Sequence, residues 1–401
     1  MTQFHIDRRR LLAGSAALAA AAALPRVAFA QGAPIRIATL TPLTGSGGPY
    51  GPVMAKTVKA VVDEVNAAGG VLGRKIELIS EDDQTNPEAG VRAARKLIDV
   101  DKVSAILGTW ASSVTTAVAP LCWESKTFLC TTSGADSITQ LPHQGFLIRT
   151  QPNTTLQGQK FGEFALAEKA KKVFFLSPQT PFAKSQFDNI TAAVKAGGGE
   201  TASLIYDDKK PAYRTEVDEV MRFKPDAIVF GGYTPDTSVM LKDLYRAGFG
   251  GTKVAFGYSV NQKLVESVPA EVVDKTYTIS PSPAEGSKAY ERLVKLIGVA
   301  SPDPYTTQIY DHINLVLMAI AMAGDASGTA IKDNVRKISQ APGGTKIDNA
   351  IDGLKAIAAK QPVDYDGASG PCDFTDTGDI KDCKFRYEQV QGGKITLVKI
   401  A

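Results

Sequence analysis

Histidine is almost missing from this chain: three in 401 residues, at His5, His143 and His312. Imidazole is the commonest general base and a leading metal ligand, so base-catalysed and zinc chemistry have few places to reside. Cysteine is nearly as scarce, at four, with no C-x-x-C pair, which leaves no zinc-finger spacing. No metal, cofactor or catalytic group is expected. An excess of one charge is lacking too. Basic side chains number 45 and acidic ones 42, and Arg8, Arg9, Arg10 and Arg26 against Asp7 account for all of that difference. Residues 31–401 therefore hold 41 of each sign, with no electrostatic excess to grip a polyphosphate; nucleic acid is not an expected partner. The apolar run at 11–24 is 14 residues, short of the roughly 20 that a bilayer span needs, so direct membrane insertion is not expected. What remains is an ordinary globular composition, 44% hydrophobic and 22% charged, long enough for two or three domains.

The charge imbalance lies at the N-terminus. Arg8-Arg9-Arg10 precede the apolar run, and Pro25 and Ala28-Phe29-Ala30 follow it. A basic segment, an apolar core and an A-x-A site describe a secretory signal, placed here at residues 1–30. Paired arginines before Leu11-Leu12 resemble a bacterial twin-arginine leader, and the general secretion route accepts the same charges. Residue 31 is Gln rather than Cys, so no lipid anchor is indicated. A monomer free in the periplasm is expected. In that oxidising compartment the four cysteines are expected to pair. Cys372 and Cys383 flank Asp376-Thr377-Gly378-Asp379 symmetrically, as across a hairpin turn. Cys122 near a helix end and Cys130 in the next strand form the other expected bridge.

Beyond the leader, short β-branched runs alternate with helical patterns. Strands are expected at 35–40, 75–80, 103–107, 127–130 and 145–149, with helices at 52–68, from Asn86-Pro87 onward, and at 113–123. A second series of strands runs through 172–176, 200–205, 227–231, 254–256 and 273–279. Helices at 288–297, 305–324 and 347–359 follow, and the chain closes in antiparallel strands. Alternation of this kind makes an α/β fold of two doubly wound parallel-sheet lobes. The chain is expected to cross between them near 150–153, 280–282 and 361–366. Lobe one is then 31–151 plus 281–361, and lobe two 152–280 plus 362–401. Ligands of open α/β sheets sit at strand carboxyl ends, so two facing lobes make a cleft.

Enzyme signatures fail against these loops. Gly45-Ser46-Gly47-Gly48-Pro49-Tyr50 follows a strand and precedes a helix, but Tyr50 stands where a dinucleotide loop needs its third glycine. There is no phosphate loop and no G-x-S-x-G elbow. The loops instead carry hydroxyls, aromatics and single acids: Trp110, Ser112 and Ser113 after the third strand, Ser133, Ala135 and Asp136 after the fourth, Tyr233 and Asp236 in the second series. Small residues at a helix start suit a carboxylate. An acid across the cleft suits an ammonium. Tyr50, Trp110, Phe182 and Tyr233 supply apolar walls.

Asn66-Ala67-Ala68-Gly69-Gly70-Val71-Leu72-Gly73-Arg74-Lys75-Ile76-Glu77-Leu78, with Glu81-Asp82-Asp83-Gln84 and Ala94-Arg95-Lys96-Leu97-Ile98, resembles the branched-chain amino-acid type of periplasmic binding protein. Pro42-Leu43-Thr44-Gly45 and Gly370-Pro371 through Phe374 to Gly378-Asp379 are similar to the same family, over residues 34–400. The resemblance implies two lobes on three crossovers that close like a hinged clamp and deliver a small solute to the membrane subunits of an ABC permease, without catalysis. It implies that Ser112 and Ser133 contact a carboxylate or ammonium, that Asp236 takes an α-ammonium, and that Tyr50 and Trp110 face the ligand side chain. Two departures stand out. Ala135 replaces a hydroxyl residue, with Asp136 beside it, and Pro181-Phe182-Ala183 replaces an aspartate-tyrosine-glycine turn. An amino acid is the first expected ligand, and an aromatic carboxylate, amide or urea the alternative; a sensor module on the same clamp is a further one.

Overall fold

The computed structural model describes residues 32–401; the expected leader at 1–30 lies outside them. The first sheet has five parallel strands, β1 (Ile35–Thr41), β2 (Ile76–Asp82), β3 (Ala105–Gly108), β4 (Phe128–Thr131) and β5 (Leu147–Arg149), in the order β2-β1-β3-β4-β5. Helices α1 (Gly51–Ala67), α2 (Pro87–Arg95) and α3 (Ser112–Ser125) connect them. Local chemistry fixes their ends: Asn86 caps α2 by accepting from Ala89 N, with Pro87 at the first helical position, as short polar caps and proline favour.

After residues 150–153 the pattern repeats. Helix α4 (Thr154–Ala167) leads to β6 (Lys172–Pro178), α5 (Pro181–Ala196), β7 (Glu200–Tyr206), α6 (Arg214–Phe223), β8 (Ala227–Phe230), α7 (Thr234–Arg246) and β9 (Thr252–Phe256). Two short helices, α8 (Gln262–Ser267) and α9 (Ala270–Val273), precede β10 (Tyr277–Pro281). The strand expected to start at 273 begins four residues later because that helical turn occupies its place. In the sheet these strands run β10-β9-β8-β6-β7, the same relative order as the first sheet, and the antiparallel β13 (Phe385–Gln391) and β14 (Lys394–Ile400) extend its edge. Each parallel sheet therefore has one switch point where strand order reverses, between β1 and β3 and between β6 and β8. Crevices open at such points.

Between β10 and β13 the chain returns to the first lobe. It forms α10 (Lys288–Ile297), α11 (Pro304–Ala323), α12 (Gly328–Ser339), β11 (Thr345–Ile347), α13 (Ala350–Ala358) and β12 (Val363–Tyr365). Helix α11 is buried at every position from Tyr305 to Ile320 because α1, α12 and α13 surround it. Asp303 caps it by accepting from Tyr305 N and Thr306 N, Pro304 opens it, and Gly324 ends it at φ 67°. No single helix among the described residues is long and apolar enough to cross a membrane.

The third crossover lies later than the sequence suggested. Val363, Tyr365, Ala368, Cys372, Phe374 and Ile380 all pack in the first lobe's core, whereas Phe385 and Tyr387 pack in the second. Buried polar groups hold this return segment. Asp311 on α11 accepts from Tyr365 Oη, Ala368 N and Ser369 N, each at 2.8 Å. A Cβ on Gly367 would come within 2.3 Å of that carboxylate, so only glycine passes it. Farther along, Asp379 lies 2.5 Å from the fully buried Arg149 guanidinium, and Arg149 N donates to Gly378 O.

Neither expected disulfide is present: all four cysteines are free. The turn at 376–379 pairs Phe374 with Ile380, a register that sets Cys372 opposite position 382. Cys372 is then in the first core and Cys383 against the second, on either side of the crossover. Cys122 O accepts from Thr127 N at the foot of β4. Cys130 sits three residues farther up the strand, roughly 10 Å away at ~3.3 Å per residue. Burial pushes the Cys122 and Cys383 thiols up to about 12, which suppresses the thiolate needed for exchange. Protein purified without reductant should therefore titrate four thiols once denatured, and reductant should leave its melting temperature unchanged; a loss of two thiols would contradict the packing described.

Candidate functional site

The switch points of the two sheets face each other across a narrow cleft, with about 40 Å3 of free volume. Its lining follows the rule for strand carboxyl ends in both lobes. Trp110, Ala111, Ser112 and Ser113 follow β3, Thr132 and Gly134 follow β4, and Gln151 follows β5. From the other side come Thr180 and Phe182 after β6, Gly231 and Tyr233 after β8, and Tyr258 after β9, while Tyr305 enters from the start of α11.

Trp110 reaches the cleft because β3 ends in a kink. Gly108 has φ 121°, and a Cβ there would meet Leu40 O at 2.4 Å; Thr109 N then donates to that same Leu40 O at 2.7 Å. A cluster of hydroxyls holds the kinked loop from beneath. Thr109 O accepts from Thr131 Oγ1 at 2.7 Å and from Ser133 Oγ at 2.5 Å, and Trp110 O accepts from Ser133 Oγ at 3.0 Å. The loop leads into α3, whose cap, Ala111, offers no side-chain oxygen. The first-turn amides of Ser112 and Ser113 therefore lack an intramolecular cap. Ser112 Oγ accepts from Ala135 N at 3.2 Å, leaving its own proton for the cleft.

Two further helices start at the cleft. Thr180 caps α5 by accepting from Ala183 N, and Tyr233 precedes α7 without a side-chain cap. Helix N-termini carry partial positive charge; that of α7 already holds the Asp236 carboxylate in its first turn, and no Lys, Arg, Asp or Glu is among the side chains lining the cleft. Such a surface offers a ligand backbone dipoles, hydroxyls and aromatic faces, and no charged side chain. The rest is aromatic. Trp110 lies 5.8 Å from Tyr233, 5.7 Å from Tyr258 and 5.5 Å from Tyr305 between ring centroids, so its ring touches both lobes. Burial raises the phenol pKa of Tyr233, Tyr258 and Tyr305; all three remain neutral hydroxyls.

Of the residues singled out from sequence, Trp110, Ser112, Ser113, Phe182 and Tyr233 line the cleft; the other five do not. Tyr50 stands behind Trp110, stacked at 5.5 Å, and lines a separate hinge-side groove. Ser133 is spent on the hydroxyl cluster. Ala135 is fully buried, its carbonyl accepting from Arg149. Asp136 is bonded to the other lobe through Thr155, Ser185 and Asn189. Asp236 is 3% exposed and sits behind Gly232, with Oδ2 accepting from Tyr206 Oη at 2.6 Å. It does not border the cleft opposite Ser112, so the expected two-ended clasp is not formed. The sequence reading missed Tyr258 and Thr180, although the same strand-end rule reaches both. It missed Gln151, two positions past the end of β5, and also Tyr305, which a crossover brings in with no local signal. No group of His, Cys, Asp and Glu that could hold a metal occurs among the described residues.

Two like sheets with facing switch points, a lined cleft and crossovers between them define a two-lobed ligand-binding clamp. The chain belongs to the periplasmic binding protein family, whose model matches residues 34–393. It is 24% identical over 393 residues to the Leu/Ile/Val-binding protein BraC3 of Rhizobium johnstonii, covering 95% of this chain and 97% of that one. Among solved structures it resembles the leucine-binding protein LivK of Thermotoga maritima, with TM-score 0.78 and 22% identity over 91% of this chain and 98% of that one. It also resembles an ABC-transporter solute-binding protein of R. palustris in complex with benzoate, with TM-score 0.73 and 18% identity over 92% and 96% of the two chains. The chain is a solute-binding protein of this type.

Burial pushes the Asp236 carboxyl up to about 6, against the donation from Tyr206 that lowers it. A carboxyl raised in the folded state binds protons more tightly there than in the unfolded chain. Its contribution to stability is full below pH ~4 and lost as pH rises through ~6. Asp236→Asn should remove that term. Relative to wild type the variant should gain up to about 3 kcal/mol above pH 7, with the gap closing toward pH 4. Urea unfolding at both pH values checks this; a constant offset would refute the buried, raised carboxyl.

Proposed function

We propose that this protein captures a small aromatic carboxylate in the periplasm and presents it, lobes closed, to an ABC permease. The leader at 1–30 would direct export, and no bond in the ligand is made or broken. The observation that carries the ligand class is the uncapped N-terminus of α3 beside a ring of aromatic side chains, with no charged side chain in the lining. A carboxylate at the start of α3 would accept from the amides of Ser112 and Ser113 and from Ser112 Oγ. Its ring would lie among Trp110, Phe182, Tyr258 and Tyr305. Burying ~150 Å2 of ring at ~25 cal/mol per Å2 supplies about 4 kcal/mol. Dipole and hydrogen-bond contacts of about 1 kcal/mol each then bring a micromolar dissociation constant, about −8 kcal/mol, within reach. The benzoate complex of the R. palustris neighbour supports the same choice.

An α-amino acid is the second reading, favoured by Asp236 immediately behind Gly232, where a Cβ would meet Oδ2 at 2.2 Å. A shift of the Gly231-Gly232 strip would uncover that carboxyl to an ammonium, and the leucine-binding relatives support it. Isothermal calorimetry with benzoate and with leucine separates the two. Benzoate is expected to bind, and Trp110→Ala to weaken it at least about tenfold through lost ring contact, while Asp236→Asn leaves it unchanged. Tight leucine binding abolished by Asp236→Asn would replace the aromatic reading with the amino-acid one.

A further inference from the structure

Asp136, placed by the sequence among ligand contacts, is bonded instead to the opposite lobe. It lies on a short turn after β4, and each donor to its carboxylate belongs to α4 or α5. Oδ1 accepts from Thr155 N at 3.1 Å, and Oδ2 accepts from Thr155 Oγ1 at 3.0 Å, Ser185 Oγ at 3.1 Å and Asn189 Nδ2 at 2.8 Å. Asp136 N donates to Ser185 Oγ at 3.3 Å. Thr155 is the second residue of α4, so the carboxylate also meets the positive end of that helix.

We propose that Asp136 is a closure latch: an affinity-determining residue that touches no ligand and holds the first lobe against α4 and α5 of the second. This rests on the reading of the chain as a hinged clamp. The carboxylate has no Lys or Arg of its own lobe bonded to it, so opening the cleft removes its donors together and returns it to water. Burial alone would raise its pKa, yet the bonds from Asn189, Thr155 and their neighbours outweigh it and leave the carboxyl below its ordinary value; it is ionised throughout the physiological range. A ligand closes a clamp only by its differential affinity for the two states. A latch made only in the closed state lowers what the ligand must supply and slows its escape.

The test compares wild type, Asp136→Ala, Asn189→Ala and the double variant by small-angle scattering of ligand-free protein and by stopped-flow release of benzoate. Asp136→Ala should enlarge the radius of gyration or speed benzoate release about tenfold, the scale of a lost charge-assisted hydrogen bond. The association rate and melting temperature should hold. Asn189→Ala should act in the same direction, and the double variant should fall short of the sum, because both remove one contact. Unchanged scattering with unchanged release overturns the latch, as does a loss confined to Asp136→Ala and matched by a lowered melting temperature. If benzoate does not bind, scattering decides alone: opening upholds the latch while the carboxylate reading fails, and no opening overturns both.

Discussion

Uncapped helix amides at the meeting of two sheets are the constraint that organises this molecule. Each lobe winds its strands in the order that leaves a switch point, and each switch point turns helix N-termini toward the other lobe. In a water-filled gap those amides are hydrated. In a closed gap lined by aromatic rings they need an acceptor, since a buried unpaired amide costs roughly 1–3 kcal/mol. On the proposed reading, a ligand that supplies the acceptor and lobe closure therefore favour each other. Rings that exclude water raise the cost of empty amides and at the same time strengthen the bond to whatever occupies them.

The rest of the architecture keeps that geometry in place. Trp110 projects correctly only because Gly108 passes Leu40 O where no side chain fits, and because three hydroxyls pin the loop carbonyls behind it. Tyr50 stacks on its far face and itself accepts from Asn261 of the other lobe. Along the first crossover, Gln151 accepts from Gln308 on α11, and Thr150 pairs with His312 on the same helix. Burial holds His312 down to about 3, so it meets Thr150 as a neutral ring. The crossover is thus seated on a rigid buried helix rather than left as free linker, which confines its bending to few residues.

Much of the fold was legible because its signals are local. Asn86-Pro87 and Asp303-Pro304 announce helix starts, Gly324 a stop, and strands such as 172–176 stand out as buried apolar runs. The helix at 328–339 was overlooked because Gly328 at its start and the loose pattern after it argue against one, while packing on α11 decides otherwise. The third crossover was misplaced for a similar reason: the pin that keeps 365–369 in the first lobe is Asp311, more than 50 positions away in sequence. Cysteine pairing failed because symmetry about a turn says nothing of a one-residue register offset. In the site, some residues at strand ends were found and others, Thr180 and Tyr258, were not, and those whose side chains turn inward were not told apart from those that face the cleft. Ser112 and Ser133 look alike in sequence; one faces the cleft and the other ties down a carbonyl.

The two departures from the family pattern acquire a physical sense in this setting. With Ala135 in place of a hydroxyl residue, nothing at that position competes for Ser112 Oγ, which accepts from the Ala135 amide instead. With Phe182 in place of a tyrosine, a ring packs directly against Gly134, where a Cβ would lie 2.8 Å from it. Neither residue brings a polar side chain to the cleft: Phe182 lines it with a ring, and Ala135 lies fully buried outside it. Asp236 is withdrawn as well, held by Tyr206 behind the glycine strip. The proposed preference for a carboxylate without an amine draws on this arrangement, because a polar group left next to an absent ammonium would remain buried and unpaired.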